Sequence, residues 1–246
     1  MRTIVVIPAF NEARTIREVV RGCLSYIEDV IVVDDGSDDA TRAIAREAGA
    51  YVYTHLTNRG YGAALKTGII AAQLRGADYV VTIDADGQHE PSEIASLIAP
   101  LQDFNADIVI GDRFHERSRR RGMSFFRAIL IVLGNVFTWL LYGVWIHDTQ
   151  SGFRAYSRTA VITLFGDYTS AFICDKAKRD DLRISALQAE GMEFSSEIIG
   201  EASRQGLRIA LVPITVHYTD YSLAKGQNFS TGIKTALKLL LRRILR

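Results

Sequence analysis

Short apolar, β-branched runs recur through the first half of the chain: Thr3–Ile7, Val30–Val33, Tyr51–Thr54, Tyr79–Ile83 and Ile108–Gly111. Runs of this length and composition are the pattern of strands in a sheet covered on both faces. Between them the period changes. Ile16, Val19, Val20, Cys23, Leu24 and Ile27 fall at i, i+3, i+4, i+7, i+8 and i+11, one face of a helix. A second helix is predicted from Ser37 or Asp38, as N-cap, to Ala48, with Gly49 as its stop. Further helices are predicted over Gly62–Leu74, over Pro91–Leu101 with Pro at the first helical position, and over Ser195–Gln205. This alternation predicts a mostly parallel, three-layer α/β sheet.

In such sheets ligands bind beyond the carboxyl ends of the strands. Polar residues collect there: Pro8–Glu12 after the first strand, Asp34–Asp38 after the second, Asp84–Asp86 after the fourth and Gly111–Arg113 after the fifth. Only the third strand lacks such a group in this reading. Asp84 and Asp86 are two apart on extended chain and so face the same side. The pair reads either as a solvated acidic turn or as a seat for Mg²⁺ or Mn²⁺, which takes one or two carboxylates plus substrate phosphates. A dinucleotide site is excluded, because the first turn, Pro8-Ala9-Phe10-Asn11-Glu12, has no glycine to admit a pyrophosphate. A G-x-x-x-x-G-K phosphate loop is absent too.

With 246 residues the chain is long enough for one large domain. A net charge of +1 supplies no basic field for nucleic acid, and a 48% hydrophobic composition argues against disorder. Two cysteines, Cys23 and Cys174, provide neither a disulfide framework nor a zinc site. The first residues pass directly into a strand with no leader pattern, so a cytoplasmic location is expected. The expected division is a catalytic domain over 1–229 and a basic amphipathic helix over 230–246.

Taken in order, Pro8–Glu12, Asp34–Asp38, Asn58–Gly62, Asp84–Gln88, Gly111–Arg113 and Asp148-Thr149-Gln150-Ser151-Gly152-Phe153-Arg154 resemble family-2 glycosyltransferases of the GT-A fold. The likeness is greatest to the dolichyl-phosphate mannose synthase-like, polyprenyl-phosphate branch. It covers residues 1–160 and, less fully, Phe194–Lys225. The resemblance implies a Rossmann-like nucleotide-diphospho-sugar transferase sheet with added C-terminal amphipathic helices. It implies that Pro8, Phe10, Glu12, Val33 and Asp35 hold the nucleotide, with Asp84, Ala85, Asp86 and Arg113 at the donor diphosphate. Asp84, Asp86 and Gln88 would hold the metal. Asp86, Arg113 and Lys225 would be catalytic, with Lys225 on a loop closing over the phosphates. Asp148 and Arg154 flank a Ser-Gly-Phe turn, as site residues or as a structural ion pair. Three features depart from the family: Tyr61 stands where relatives often have Lys, Asp112 where Ser is common, and Gly166–Glu190 is longer and more polar. His89 and His217 receive no role.

Ala128–Ile146 contains nineteen residues without a formal charge, long enough to span a bilayer. A single crossing would separate the Asp-x-Asp from the Ser-Gly-Phe-Arg segment that completes the same site. Arg127, Asn135, Thr138 and Tyr142 also make a weak polar stripe. The expectation is an interfacial or re-entrant amphipathic helix within 123–146; a core helix and a true span are the alternatives. Thr231–Arg246 sets Lys234, Lys238 and Arg242 on one face against Ile233, Leu237, Leu240, Leu241 and Ile244, which suits an anionic lipid surface or a domain-packing role.

The expected activity is inverting, metal-dependent transfer of a sugar from a UDP- or GDP-sugar to a polyprenyl or dolichyl phosphate. The protein would be held peripherally on the cytoplasmic face of a membrane. Inversion follows from the resemblance alone. The alternatives are a nucleotidyltransferase, a glycosyltransferase acting on a hydroxyl with Glu197 as base, and a non-catalytic nucleotide-sugar binding module.

Overall fold

The computed structural model describes residues 1–122, 125–169, 187, 191, 193–219 and 221. The first half follows the alternation: β1 Thr3–Ala9, α1 Ile16–Leu24, β2 Asp29–Asp34, α2 Thr41–Glu47, β3 Tyr51–Thr54, α3 Tyr61–Leu74 and β4 Tyr79–Thr82. A 3₁₀ turn, Pro91–Glu93, leads into α4 Ile94–Gln102, then β5 Ile108–Asp112, β6 Arg119–Arg121 and α5 Phe125–Tyr142. After these come β7 Arg154–Ser157, α6 Arg158–Phe165, α7 Phe194–Arg204, β8 Ile209–Pro213 and β9 Thr215–His217.

Seven strands form one sheet in the order β3-β2-β1-β4-β7-β5-β8, and β6 pairs with β9 in a separate ribbon. Strand side chains alternate between two apolar layers, which is why the runs read as continuously hydrophobic. Val5, Ile7, Val30, Val32 and Val109 meet Ile16, Val20, Leu97 and their neighbours on α1 and α4. Ile4, Val6, Ile31, Val33, Ile108 and Ile110 meet α3, α6 and α7 through Leu65, Ile69, Leu164 and Ile198. Cys23 lies in the first layer, and burial pushes its thiol up to about 12, so it stays an inert thiol.

The sheet is parallel except at β7, which runs antiparallel between β4 and β5. A reversed strand begins where its neighbours end. It therefore brings Asp148–Gly152 to the carboxyl edge beside Asp84, with Thr82 Oγ1 donating to the Gly152 carbonyl at 2.8 Å. Some boundaries differ from those predicted. α2 starts at Thr41 because Ser37 and Asp38 are engaged elsewhere: the Ser37 hydroxyl accepts from Asn11 N–H at 2.9 Å, and Asp38 N–H donates to Asn11 Oδ1 at 2.9 Å.

α5 turns its polar stripe inward and its apolar side outward. Asn135 and Thr138 point inward: the Asn135 amide carbonyl accepts from Thr149 N–H at 3.0 Å, and Thr138 Oγ1 donates to Ser196 Oγ at 3.0 Å. The Tyr142 ring lies so close to Gly200 that a Cβ there would sit 2.2 Å from it. Ile129, Val132, Leu133, Trp139 and Leu140 face outward, Leu140 with 68% of its surface exposed. The weak polar stripe is therefore the packed side, while the side chain of Arg127 lies outside the described residues. Among the described residues no helix is long and apolar enough to cross a membrane. Cys174, Lys225 and Thr231–Arg246 also lie outside them, as does most of Gly166–Glu190.

α3 sits directly on β1 at Gly68, where a Cβ would come 2.3 Å from Val6 Cγ1 and 3.1 Å from Val33 Cγ2. Gly68→Ala gains about 1 kcal/mol of helix propensity, but overpacking against two β-branched side chains costs about 1–3 kcal/mol. A net loss of stability, up to about 2 kcal/mol, is expected in a urea titration; a raised midpoint would contradict this packing.

Candidate active site

Chain segments from the ends of β1, β2, β3, β4 and β5 meet at the carboxyl edge of the sheet, with the segment that opens β7 beside them. From β1, Pro8 is buried, Phe10 is partly exposed at the strand's tip, and Glu12 folds back into the protein. Glu12 Oε2 accepts from Thr15 Oγ1 at 3.2 Å and from the Tyr221 hydroxyl at 2.8 Å. Asn11 takes a left-handed backbone, φ 55°, a cost an Asn tolerates better than most residues. Val33 is fully buried in the α3 layer, with its backbone paired to Pro8.

Asp35 is buried, and its carboxylate accepts from the backbone N–H groups of Arg59 at 3.0 Å and Gly60 at 2.7 Å. His55 Nδ1 meets Asp35 Oδ1 at 2.6 Å, and His55 Nε2 meets Thr67 Oγ1 at 2.9 Å. The third strand thus delivers a polar group to the edge after all. His55 escaped notice because a lone histidine one residue past a short strand carries no motif.

Asp84 and Asp86 follow β4, both half-buried, while Ala85 between them buries its methyl in the core. The Tyr61 hydroxyl donates to Asp84 Oδ1 at 3.0 Å, and His89 Nε2 lies 3.7 Å from Oδ2. Gly152 closes the far side: a Cβ there would come 2.3 Å from Asp84 Oδ1. Asp86 accepts from Gln88 twice, from its backbone N–H at 3.1 Å and from its side-chain amide. Burial pushes the Asp86 carboxyl up to about 6, and the neighbouring Asp84 charge adds to the effect. Burial also raises Asp84, but the adjacent His89 ring, the Tyr61 hydroxyl and the Arg113 charge outweigh it and hold that carboxyl below its usual range. Two crowded carboxylates of which one resists ionisation fit a hard divalent cation, whose charge would favour both anions. Among the described residues no three His, Cys, Asp or Glu side chains form a complete metal cage. The oxygen donors of Asp84, Asp86 and Gln88 suit a cation that takes its remaining ligands from a diphosphate and water.

At the end of β5, Arg113 is buried and paired to Asp148 through Nε and Nη2, each at 2.6 Å, while Nη1 donates to the Tyr218 hydroxyl at 3.3 Å. Burial works against the guanidinium's charge, and Asp148 more than offsets it. Asp148 does not pair with Arg154. The Arg154 guanidinium donates instead to the carbonyls of Ser151, Thr149 and Ser195, at 2.8, 2.7 and 3.1 Å, and fixes the turn into β7. Asp112 stabilises the next turn, accepting from Phe114 N–H at 2.7 Å. The two unassigned histidines also have partners. His89 packs its ring 5.2 Å from that of Phe153, and His217 Nε2 meets Glu90 Oε1 at 2.6 Å. Glu197, the alternative base, is buried on α7.

The sequence pattern of glycosyl transferase family 2 matches residues 4–165, and the chain belongs to that family. It is a glycosyltransferase of GT-A-like fold. The UDP-N-acetylglucosamine–dolichyl-phosphate N-acetylglucosaminyltransferase of Methanococcus voltae is 32% identical over 96% of this chain and 94% of its own. The polyprenol monophosphomannose synthase of Mycolicibacterium smegmatis is 29% identical over 96% of this chain and 84% of its own. Among solved structures, glucosyl-3-phosphoglycerate synthase from Mycobacterium tuberculosis, in complex with Mn²⁺, UDP and glucosyl-3-phosphoglycerate, superposes with a TM-score of 0.69. That match is 23% identical and covers 98% of this chain and 79% of the other.

Asp148→Asn would leave the Arg113 charge buried without a counter-ion. It is expected to destabilise the fold by about 3–5 kcal/mol in a denaturant titration. The double variant Arg113→Met/Asp148→Leu should lose less than Asp148→Asn alone, since it buries no charge; an equal or greater loss would show that the pair's shape, and not its charge, matters.

Proposed function

We propose that the enzyme transfers a sugar, with inversion, from a UDP- or GDP-sugar to a polyprenyl or dolichyl phosphate at a membrane surface, using Mg²⁺ or Mn²⁺. The observation that carries this reading is the Asp84–Asp86 pair, raised to the carboxyl edge between the Phe10–Asp35 side and Arg113. The two relatives that share a polyprenol-type acceptor in their names, and the Mn²⁺ and UDP in the solved neighbour, support it.

Phe10, with Pro8 behind it, offers an apolar wall to the base; Glu12 and Asp35 bring carboxylates to the same side, and Val33 backs Pro8 from the core. Asp84, Asp86 and Gln88 would hold the cation, which when bound stabilises the departing nucleoside diphosphate. Arg113 has three of its five N–H groups committed to Asp148 and Tyr218 among the described residues. Its remaining donors and its charge serve the donor phosphates where negative charge develops, with Lys225 as a second cation. An acceptor phosphate is already ionised near neutral pH, so transfer needs no strong general base.

The outward face of α5 supports docking on a bilayer; the cytoplasmic side is part of the proposal. Ile129, Val132, Leu133 and Leu140 offer apolar area. Trp139 and Trp145 stack edge to face with ring centroids 6.1 Å apart, the residue type that favours a membrane–water boundary. The exposed Arg117 and Arg119 precede the helix and complement anionic headgroups. A lipid phosphate lies at headgroup depth, where an enzyme resting on that surface can reach it.

Asp86→Asn is expected to abolish turnover and metal-dependent binding of the nucleoside diphosphate while leaving the circular dichroism spectrum intact. Undiminished metal-dependent binding by calorimetry would remove the pair from the mechanism. For the membrane face, a Leu133→Glu/Leu140→Glu variant should partition onto vesicles of anionic and zwitterionic phospholipid at least about tenfold less than wild type, because each leucine withdrawn from water contributes about 1.5–3 kcal/mol. Unchanged sedimentation with vesicles would assign that face another partner.

A further inference from the structure

We propose that Tyr61 and His55 are positioning residues for Asp84, the two ends of a hydrogen-bonded relay that sets the metal-side carboxylate from the nucleotide side of the site. The proposal rests on the glycosyl-donor reading given above and adds to it the groups that fix the geometry of its metal seat.

The relay starts at the end of β2. The buried Asp35 carboxylate gathers His55 Nδ1 at 2.6 Å and the N–H groups of Arg59 and Gly60 at 3.0 and 2.7 Å. Those two amides immediately precede Tyr61, the first residue of α3. Gly60 has φ 100°, a backbone that few side chains tolerate, and this turn lets its N–H face Asp35 while the next residue begins the helix. The loop lies tight on β2's turn: a Cβ on Gly36 would come 2.7 Å from the Thr57 carbonyl carbon. His55 then fastens the helix itself. Its backbone N–H donates to Asp34 O at 2.9 Å, and its Nε2 is hydrogen-bonded to the Thr67 hydroxyl further along α3 at 2.9 Å. One imidazole thus fixes where α3 starts and how it is rotated.

At that start, the Tyr61 hydroxyl donates to Asp84 Oδ1 at 3.0 Å, and the carboxylate sits in the space that a side chain at Gly152 would take. A neutral phenol orients Asp84 without neutralising it, so the carboxylate keeps its full charge for a cation. A ligand held in its binding rotamer in advance loses less freedom when the cation arrives, and outer groups of this kind typically change metal affinity by about 10–100-fold.

The full-length protein is titrated with Mn²⁺ at fixed, excess UDP, and separately GDP, reading the Mn²⁺ midpoint of nucleotide retention together with the thermal unfolding midpoint without metal. Tyr61→Phe is expected to raise the Mn²⁺ midpoint about tenfold. His55→Leu should raise it in the same direction, and the double variant should do no more than Tyr61→Phe alone, because His55 acts through Tyr61. Thr67→Val, close in shape, should give a several-fold rise and carries the test if His55→Leu does not fold. A merely structural latch would lower the unfolding temperature and leave the Mn²⁺ midpoint of the folded protein where it was. That result, or additive effects of His55→Leu and Tyr61→Phe, would overturn the relay while the donor reading stood. A wild-type protein that retained neither nucleotide with Mn²⁺ would overturn both.

Discussion

The Arg113–Asp148 pair is the interaction on which the arrangement of the site depends. It joins the end of β5 to the segment that opens β7, and through Nη1 it reaches Tyr218 beyond β9. Charges this deeply buried are tolerated only when each satisfies the other, so the three segments are located relative to one another or not at all. With Asp148 fixed, the turn through Gly152 falls beside Asp84. The guanidinium proposed to draw the donor's phosphates is, in this geometry, also the clamp that holds β5, β7 and Tyr218 together.

Much of the sheet was legible in the sequence because burial on both faces writes itself as uninterrupted β-branched runs. The strands of the first half and the helices between them follow from that periodicity and from Gly and Pro punctuation. β7 was not legible. Arg154–Ser157 is short and half polar, and its reversed pairing, with Ala155 opposite Val81, is a long-range feature that no local run records. The N-caps proposed at Ser37 and Asp38 failed for a related reason: both residues tie the β2 turn to Asn11, a long-range use that local propensity does not record.

The candidate site was legible where polar residues are neighbours in the chain, as in Asp84-Ala85-Asp86, which lies at the carboxyl edge of the sheet as its place after a strand implied. It was illegible where contacts are assembled from single residues far apart. His55 meets Asp35 and Thr67, and Tyr61 meets Asp84, only because adjacent strands and the helix between them converge at one edge. Arg154 shows the converse. It is a charged residue inside a recognisable motif, and it donates to the backbone carbonyls of Ser151, Thr149 and Ser195, so it builds the turn that brings Gly152 beside Asp84.

α5 carries a consequence for how its sequence can drift. In a water-soluble protein the inward positions of a helix accept any apolar residue of suitable volume, and the outward ones accept almost any polar residue. Here the inward positions include, beside the buried Ile131, Asn135 and Thr138, each answering a specific donor or acceptor, and the outward ones are Val132, Leu133, Trp139 and Leu140. Substitution should therefore be free among large hydrophobic residues on the outer surface and nearly forbidden among the small polar ones within. A tally of tolerated exchanges along this helix would be the mirror image of that for α1, on the other side of the same sheet.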